Sequence, residues 1–241
     1  GYSQDCLGET SLAPVPAGGT PDPQNQSPIG DEGPFNNMGV PGAKTFHLLA
    51  PGYGSLNPYF ERFASNPATV TVMDDAMLNQ PTFFTLWIGN NDVLTYAMTG
   101  AESDSITSQN YFAQAMGGII QTLTSNGAKG AIANIPQITK APFFTTIPYN
   151  PIELGSADAS ALNTAYASYN GGATSLGLDS ITFSEGYNAL VIEEDDAAYD
   201  PVGNMRQIKS NELVILSLPQ DSLKCAGWGT QKPVPDEYVL D

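Results

Sequence analysis

Thr82-Phe83-Phe84-Thr85-Leu86-Trp87-Ile88-Gly89-Asn90-Asn91-Asp92 is the stretch on which the fold turns. Seven apolar, aromatic and β-branched residues lie between Pro81 and Gly89. Such a run reads as a buried strand of a parallel sheet. Gly89 to Asp92 is then the turn at its C-terminal end. Downstream, Ile106, Phe112, Ala115, Met116, Ile119, Ile120 and Leu123 recur at helical spacing, so 106–125 reads as an amphipathic helix. Asn126-Gly127 stops it. Ala131 to Ile135, closed by Pro136, is the next buried strand. Strand, helix, strand in this order implies a right-handed parallel crossover and an α/β architecture.

The flanks extend this reading. Residues 1–34 are rich in Pro and Gly and read as an irregular segment. Residues 35–178 form the α/β core, and 179–241 a strand-rich decorating region, all within one domain. Phe46 to Ala50 opens a short helix. Asn57-Pro58 starts another, with Asn57 as N-cap and Pro58 at the first helical position. Residues 156–170 read as a helix weakened by Gly171-Gly172. Ser180 to Phe183 and Ala189 to Ile192 read as short strands, as a hairpin, and Leu213 to Leu216 as a further strand.

Composition removes several function classes. The 241 residues carry 25 Asp plus Glu against 8 Lys plus Arg, a net charge of -17. Eight scattered cations do not make the basic face that phosphate binding needs, so a nucleic-acid partner is excluded, as is docking on anionic lipid. No apolar run is long enough for a transmembrane segment. Two cysteines and one histidine cannot assemble a structural zinc site. Cys6 and Cys225 are either two separate small residues or a disulfide, and sequence leaves both open. Any catalytic triad inside this chain must use His47. A packed or capped structural role is the preferred reading for it.

In open α/β sheets, chemistry collects at the C-terminal ends of strands. Asn91 offers a neutral amide donor there, although Asn, Asp and Gly are also ordinary turn residues. A second cluster, Asn37-x-Gly39-x-x-Gly42-x-x-Thr45, sets two glycines just before a short helix. A backbone N–H at Gly42 and the amide of Asn91 together would make an oxyanion hole.

These two clusters resemble blocks II and III of the SGNH (GDSL) hydrolases. Asn37-Met38-Gly39-Val40-Pro41-Gly42-Ala43-Lys44-Thr45 is similar to the former. Gly89-Asn90-Asn91-Asp92 is similar to the Gly-x-Asn-Asp of the latter, about fifty residues on. Pro34 to Gly54 and Gly127 to Pro148 resemble GDSL-like lipases of the bacterial, Bacteroidetes type. The resemblance implies a three-layer α/β/α fold around a mostly parallel sheet, flavodoxin-like. It implies a serine ester hydrolase (lipase or esterase) acting on a small-molecule ester or lipid without a cofactor, and an extracytoplasmic location: periplasmic, secreted or an outer-membrane lipoprotein. Gly42 and Asn91 become the oxyanion donors. Phe143 to Tyr149 becomes an acyl-pocket wall, or else core.

The chain departs from the family in two places. It has no Gly-Asp-Ser and no Asp-x-x-His. Ser55 and Ser65 sit on no strand-to-helix elbow. Nucleophile and base are therefore expected outside this chain, which reads as an internal piece of a longer hydrolase: it opens on Gly1 and closes on Tyr238-Val239-Leu240-Asp241. Alone it is expected to be inactive and poorly stable, because the strand ending at Ile88 would lack a neighbour. The alternative is a non-catalytic ligand- or carbohydrate-binding pseudo-hydrolase. Glu193-Glu194-Asp195-Asp196 with Asp200 reads as a solvated acidic loop in preference to a calcium site.

Overall fold

The computed structural model describes residues 1–12, 28–102 and 105–240. In chain order the strands are β1 (Tyr2–Gln4), β2 (Thr10–Leu12), β3 (Phe83–Leu86), β4 (Lys129–Ile132), β5 (Ile152–Leu154), β6 (Gly186–Asn188), β7 (Val191–Glu193), β8 (Met205–Gln207), β9 (Leu213–Val214) and β10 (Val239–Leu240). The helices are α1 (Pro58–Phe63), α2 (Val72–Leu78), α3 (Asn91–Ala97), α4 (Gln109–Thr124), α5 (Pro142–Thr145), α6 (Ser156–Ala165), α7 (Ala167–Leu176) and α8 (Gln220–Cys225). The described chain divides into two units. One holds residues 28–96 and 105–138, the other residues 1–12, 97–102 and 139–240. The divisions drawn from sequence at 34/35 and 178/179 do not coincide with these limits. Residues 13–27 of the Pro/Gly-rich segment lie outside the described residues.

The first unit contains the crossover. β3 and β4 pair in parallel, with Phe83 opposite Lys129 and Leu86 opposite Ile132. Helices α3 and α4 connect them. Ser108 caps α4 by accepting from Tyr111 N, and Ala115, Ile119 and Leu123 form its buried stripe. Ile106 precedes the helix and is exposed. Asn57 caps α1 as its Asn-Pro sequence dictates, accepting from Tyr59 N and Phe60 N. The stretch expected as a helix at Phe46–Ala50 is instead a 3-10 turn, Thr45–Leu49. Leu48, Tyr53, Phe60, Val72, Met73, Leu86, Ile119 and Leu123 make the core.

Two expectations fail here. The second strand begins at Lys129, two residues before the apolar run, because pairing with β3 sets its limits. Both strands are also far less buried than a parallel sheet requires. β4 is exposed throughout and Phe83 is 62% exposed. Among the described residues every sheet has two strands, and β3–β4 is the one parallel pair. The three-layer arrangement around a mostly parallel sheet is not seen. The chain is mixed α/β with small sheets.

In the second unit, β7 separates two clusters by strand alternation. Leu190 and Ile192 face Ile208, Val214, Val234 and Val239, while Val191 faces Tyr166, Ile181 and Phe183. The helix expected over 156–170 is broken at Tyr166 into α6 and α7, and Gly171-Gly172 lie inside α7. No hairpin joins 180–183 to 189–192. β6 pairs with β5 and β7 with β8. Residues 180–183 are not a strand because side-chain amides take their backbone groups. Asn163 accepts from Phe183 N and donates to Phe183 O, and Asn170 does the same with Ile181. β9 is only Leu213–Val214, paired with β10.

Cys6 and Cys225 form a disulfide, which decides the question sequence left open. It ties the β1–β2 hairpin to α8, beside a 2.8 Å ion pair between Asp5 and Lys224. No helix of the described residues is long and apolar enough to cross a membrane.

One buried ion cluster holds the β7–β8 region. Arg206 pairs with Glu194 and, at 2.7 Å, with Glu212. Burial opposes the charge on Glu194. The Arg206 hydrogen bond, the N–H of Asp196 and the Arg206 charge outweigh it and hold the carboxyl below its ordinary 4.5. Removing one partner of a buried pair strands the other charges. Arg206→Ala is therefore expected to lower unfolding free energy of this unit by about 3–5 kcal/mol in urea titration. A loss below about 1 kcal/mol would show the cluster to be dispensable. Because the folded Glu194 value lies below the unfolded one, its stabilisation is present above about pH 4.5 and is lost as pH falls through the folded value.

Candidate active site

The C-terminal end of β3 carries the turn Gly89–Asp92. Gly89 sits at φ +107°, a left-handed value that favours glycine. A Cβ there would lie 2.8 Å from Ile135 and 3.0 Å from Phe112, so close packing also demands it. Three hydrogen bonds tie this turn to Ala43 and to Thr45, the residue that opens the 3-10 turn. Asn91 Nδ2 donates to Ala43 O at 3.0 Å. Thr45 N and Thr45 Oγ1 each donate to Asp92 Oδ2 at 2.8 Å. Asp92 is 2% exposed, so these are charge-assisted bonds in a dry setting. The two sequence clusters, some fifty residues apart, are thus held against each other.

Asn91 lies in the wall of a groove of about 610 Å³ that runs along β3. An amide nitrogen carries two protons, and Ala43 takes one, so the second remains for a ligand. Gly42 is exposed at φ +77°, a Cβ there would meet nothing within 4 Å, and its N–H has no acceptor among the described residues. It is adjacent to Ala43 in sequence but is not part of the groove wall. The pair expected to form the oxyanion hole is therefore anchored through one loop, with Asn91 in the groove and Gly42 at its outside.

Thr45 and Asp92 close the two sequence clusters, and their clamp is what aligns these. The only sequence signal was the Thr closing the Gly-x-x-Gly-x-x-Thr pattern. Asn90 Oδ1, in the groove wall, and Asp92 Oδ1 are both buried without a hydrogen-bond partner among the described residues. The end of β3 thus has acceptor capacity unspent.

His47 is a packed residue. Its Nδ1 accepts from Lys44 N at 3.0 Å, and its ring stacks on Tyr53 with centroids 4.5 Å apart. Burial lowers its pKa from 6.5, the Lys44 charge adds to that, and Asp92 opposes both. No serine hydroxyl is bonded to it among the described residues. Ser65 Oγ donates instead to Asp75 Oδ1 at 2.5 Å, and Ser55 Oγ to Pro67 O at 3.4 Å. Phe143–Tyr149 does not line the groove. Phe144 and Ile147 are buried in the second unit's own interior. In the acidic loop, Glu194 is engaged by Arg206, and Asp196 Oδ1 accepts from Ala198 N. Asp195 instead lies with Glu102 and Asp236, their carboxylate oxygens within 4.8 Å of one another at the surface.

Comparison with protein-family models, with curated proteins and with solved structures found no match.

Asp92→Ala is expected to cost about 3 kcal/mol in the first unit, because it removes two bonds to a charged acceptor and strands the Thr45 donors. Chemical denaturation followed at Trp87 measures it. His47, followed by its ring proton shifts, is expected to titrate below 6.5. Its folded pKa is depressed, so its contribution is complete above 6.5 and fades as pH falls through the folded value.

Proposed function

We infer that this chain is the oxyanion-binding portion of a GDSL-type serine ester hydrolase, with nucleophile and base contributed from outside residues 1–241. One observation carries the reading. The amide of Asn91 stands at the C-terminal end of a parallel strand, in an uncharged groove, fixed against the Gly42–Thr45 loop by the Asp92 clamp. A fixed neutral donor at that position is suited to charge that develops on a carbonyl oxygen during acyl transfer.

The chemistry divides accordingly. A serine from beyond this chain attacks the ester carbonyl. The carbonyl oxygen gains negative charge and accepts from the second Asn91 proton, and the exposed Gly42 N–H on the adjoining loop is the further donor that the resemblance implies. Collapse expels the alcohol, and water then releases the acid. Thr45 and Asp92 act through Asn91 and Ala43 as positioning residues. The substrate is a small ester or lipid. The disulfide fits an oxidising, extracytoplasmic setting.

A second reading is favoured by His47, which is packed, has a depressed pKa and has no serine bonded to it among the described residues. It is a binding module, for a carbohydrate or another ligand, without turnover. The two readings part on one experiment. In the polypeptide that includes the flanking sequence, Asn91→Ala is expected to lower kcat for p-nitrophenyl butyrate about 100-fold or more with little change in KM. An unchanged kcat removes the oxyanion role, and absence of wild-type turnover favours the binding module. Residues 1–241 alone are expected to show no turnover. Turnover by them that His47→Ala abolished would overturn the reading.

A further inference from the structure

Val40-Pro41-Gly42-Ala43 makes a tight turn at the start of the loop that the Asp92 clamp holds. Ala43 N donates to Val40 O at 3.2 Å, and Gly42 sits at φ +77°. Proline at the second position fixes φ at about -65° there. A positive φ at the third position then makes this a type II turn, since type I needs about -90°. The two types differ mainly by a half-turn of the central peptide, here Pro41–Gly42. A glycine in open surroundings leaves both rotations accessible to the local chain. The rotation matters because this peptide is trans, and a trans peptide directs its C=O and N–H oppositely. Whatever holds Pro41 O therefore decides where Gly42 N–H is directed.

Asn57 holds Pro41 O. Its Nδ2 donates there at 3.0 Å and to Tyr53 Oη at 2.9 Å. Its Oδ1 accepts from Tyr59 N and Phe60 N at the start of α1. Two backbone donors admit only the oxygen on that side, so the amide cannot be reversed and its protons stay with Pro41 and Tyr53. Tyr53 is buried and its ring is stacked on His47, so the second anchor is also fixed. In the flipped, type I turn, Gly42 N–H would turn to the Asn57 amide instead, donor against donor. Asn57 thus favours one rotation by a hydrogen bond and opposes the other by a conflict of donors.

We propose that Asn57 is a positioning residue: it latches the Pro41–Gly42 peptide in the type II rotation and so keeps the Gly42 N–H turned away from α1, available to the oxygen of a bound acyl group. The identity of that oxygen rests on the hydrolase reading; the latch does not. The loop is then fixed at both ends, at Pro41 by Asn57 and at Thr45 by Asp92. A hydrogen bond on the Pro41 carbonyl also polarises the peptide and strengthens its N–H as a donor.

Two substitutions separate the latch from the helix cap, because Ser and Asp cap as well as Asn does. Asn57→Ser keeps the cap and is too short to reach Pro41. Asn57→Asp keeps the cap and puts an acceptor where the donor stood, which favours the flipped peptide. NMR on the 241-residue chain reads the rotation directly, since type II brings Pro41 Hα close to the Gly42 amide proton and type I separates them. The contact is expected to be strong in the wild type, weakened in Asn57→Ser and lost in Asn57→Asp, with exchange of the α1 amides unchanged. In the polypeptide that includes the flanking sequence, kcat for p-nitrophenyl butyrate is expected to fall about tenfold in Asn57→Ser and about 100-fold in Asn57→Asp, with KM little changed. A merely structural role gives no such order, because both variants cap equally. Should one variant fail to fold, the other carries the same test. A contact of wild-type strength in the variants overturns the proposal. So does an unchanged kcat in them where Asn91→Ala lowers it. An unchanged kcat in Asn91→Ala as well overturns the hydrolase reading itself, and the proposal with it.

Discussion

The one-sided pairing of β3 is the constraint on which the first unit depends. A strand backbone must satisfy donors and acceptors on two edges, and its side chains must be covered on two faces when the sheet is parallel. Among the described residues, β3 meets half of each requirement. β4 pairs one edge, and Phe84, Leu86 and Ile88 contact the core built by α2 and α4. The other edge has no strand partner among the described residues, and the Phe83–Thr85–Trp87 face is exposed, with Trp87 at 66%. The apolar part of the groove wall, Leu48, Val72, Met73 and Leu123, forfeits dispersion contacts there. The unit's stability must then rest on α1, α2, α4 and the polar clamp.

That clamp links the fold to the candidate chemistry. Asp92 is charged and buried, which is unfavourable unless donors surround it. Thr45 supplies two of them from a loop far away in sequence. The same contact brings Ala43 to the Asn91 amide and so fixes where Asn91 directs its remaining proton. Structure and site are here a single arrangement. The second unit is held differently, by apolar clusters either side of β7, by the Arg206 ion cluster and by the disulfide.

The parts of the fold that were legible in sequence are those set by local chemistry. The β3 run is bounded by Pro81 and Gly89, α4 has its Ser108 cap and apolar stripe, and Asn57-Pro58 announces α1. Long-range competition was not legible. Residues 180–183 have strand composition, yet Asn163 and Asn170 take their backbone groups. Tyr166 breaks a helix that composition would continue, while its hydroxyl donates to Thr230 O at 2.6 Å. Phe143–Tyr149 looked equally suited to pocket or core, and only packing separates these. At the site, Asn91 and Gly42 were visible as turn residues in a suggestive pattern. The Thr45–Asp92 clamp was not, because a buried polar pair leaves no periodic trace in sequence.

The most direct test of this account is native-state hydrogen exchange of the free chain, read residue by residue from Thr82 to Ile88. Alternation is expected, with slow exchange at Phe84 and Leu86 and fast exchange at Phe83, Thr85 and Trp87. Uniform protection along the strand would mean that β3 has a second neighbour and that neither the open edge nor the groove beside it exists in solution.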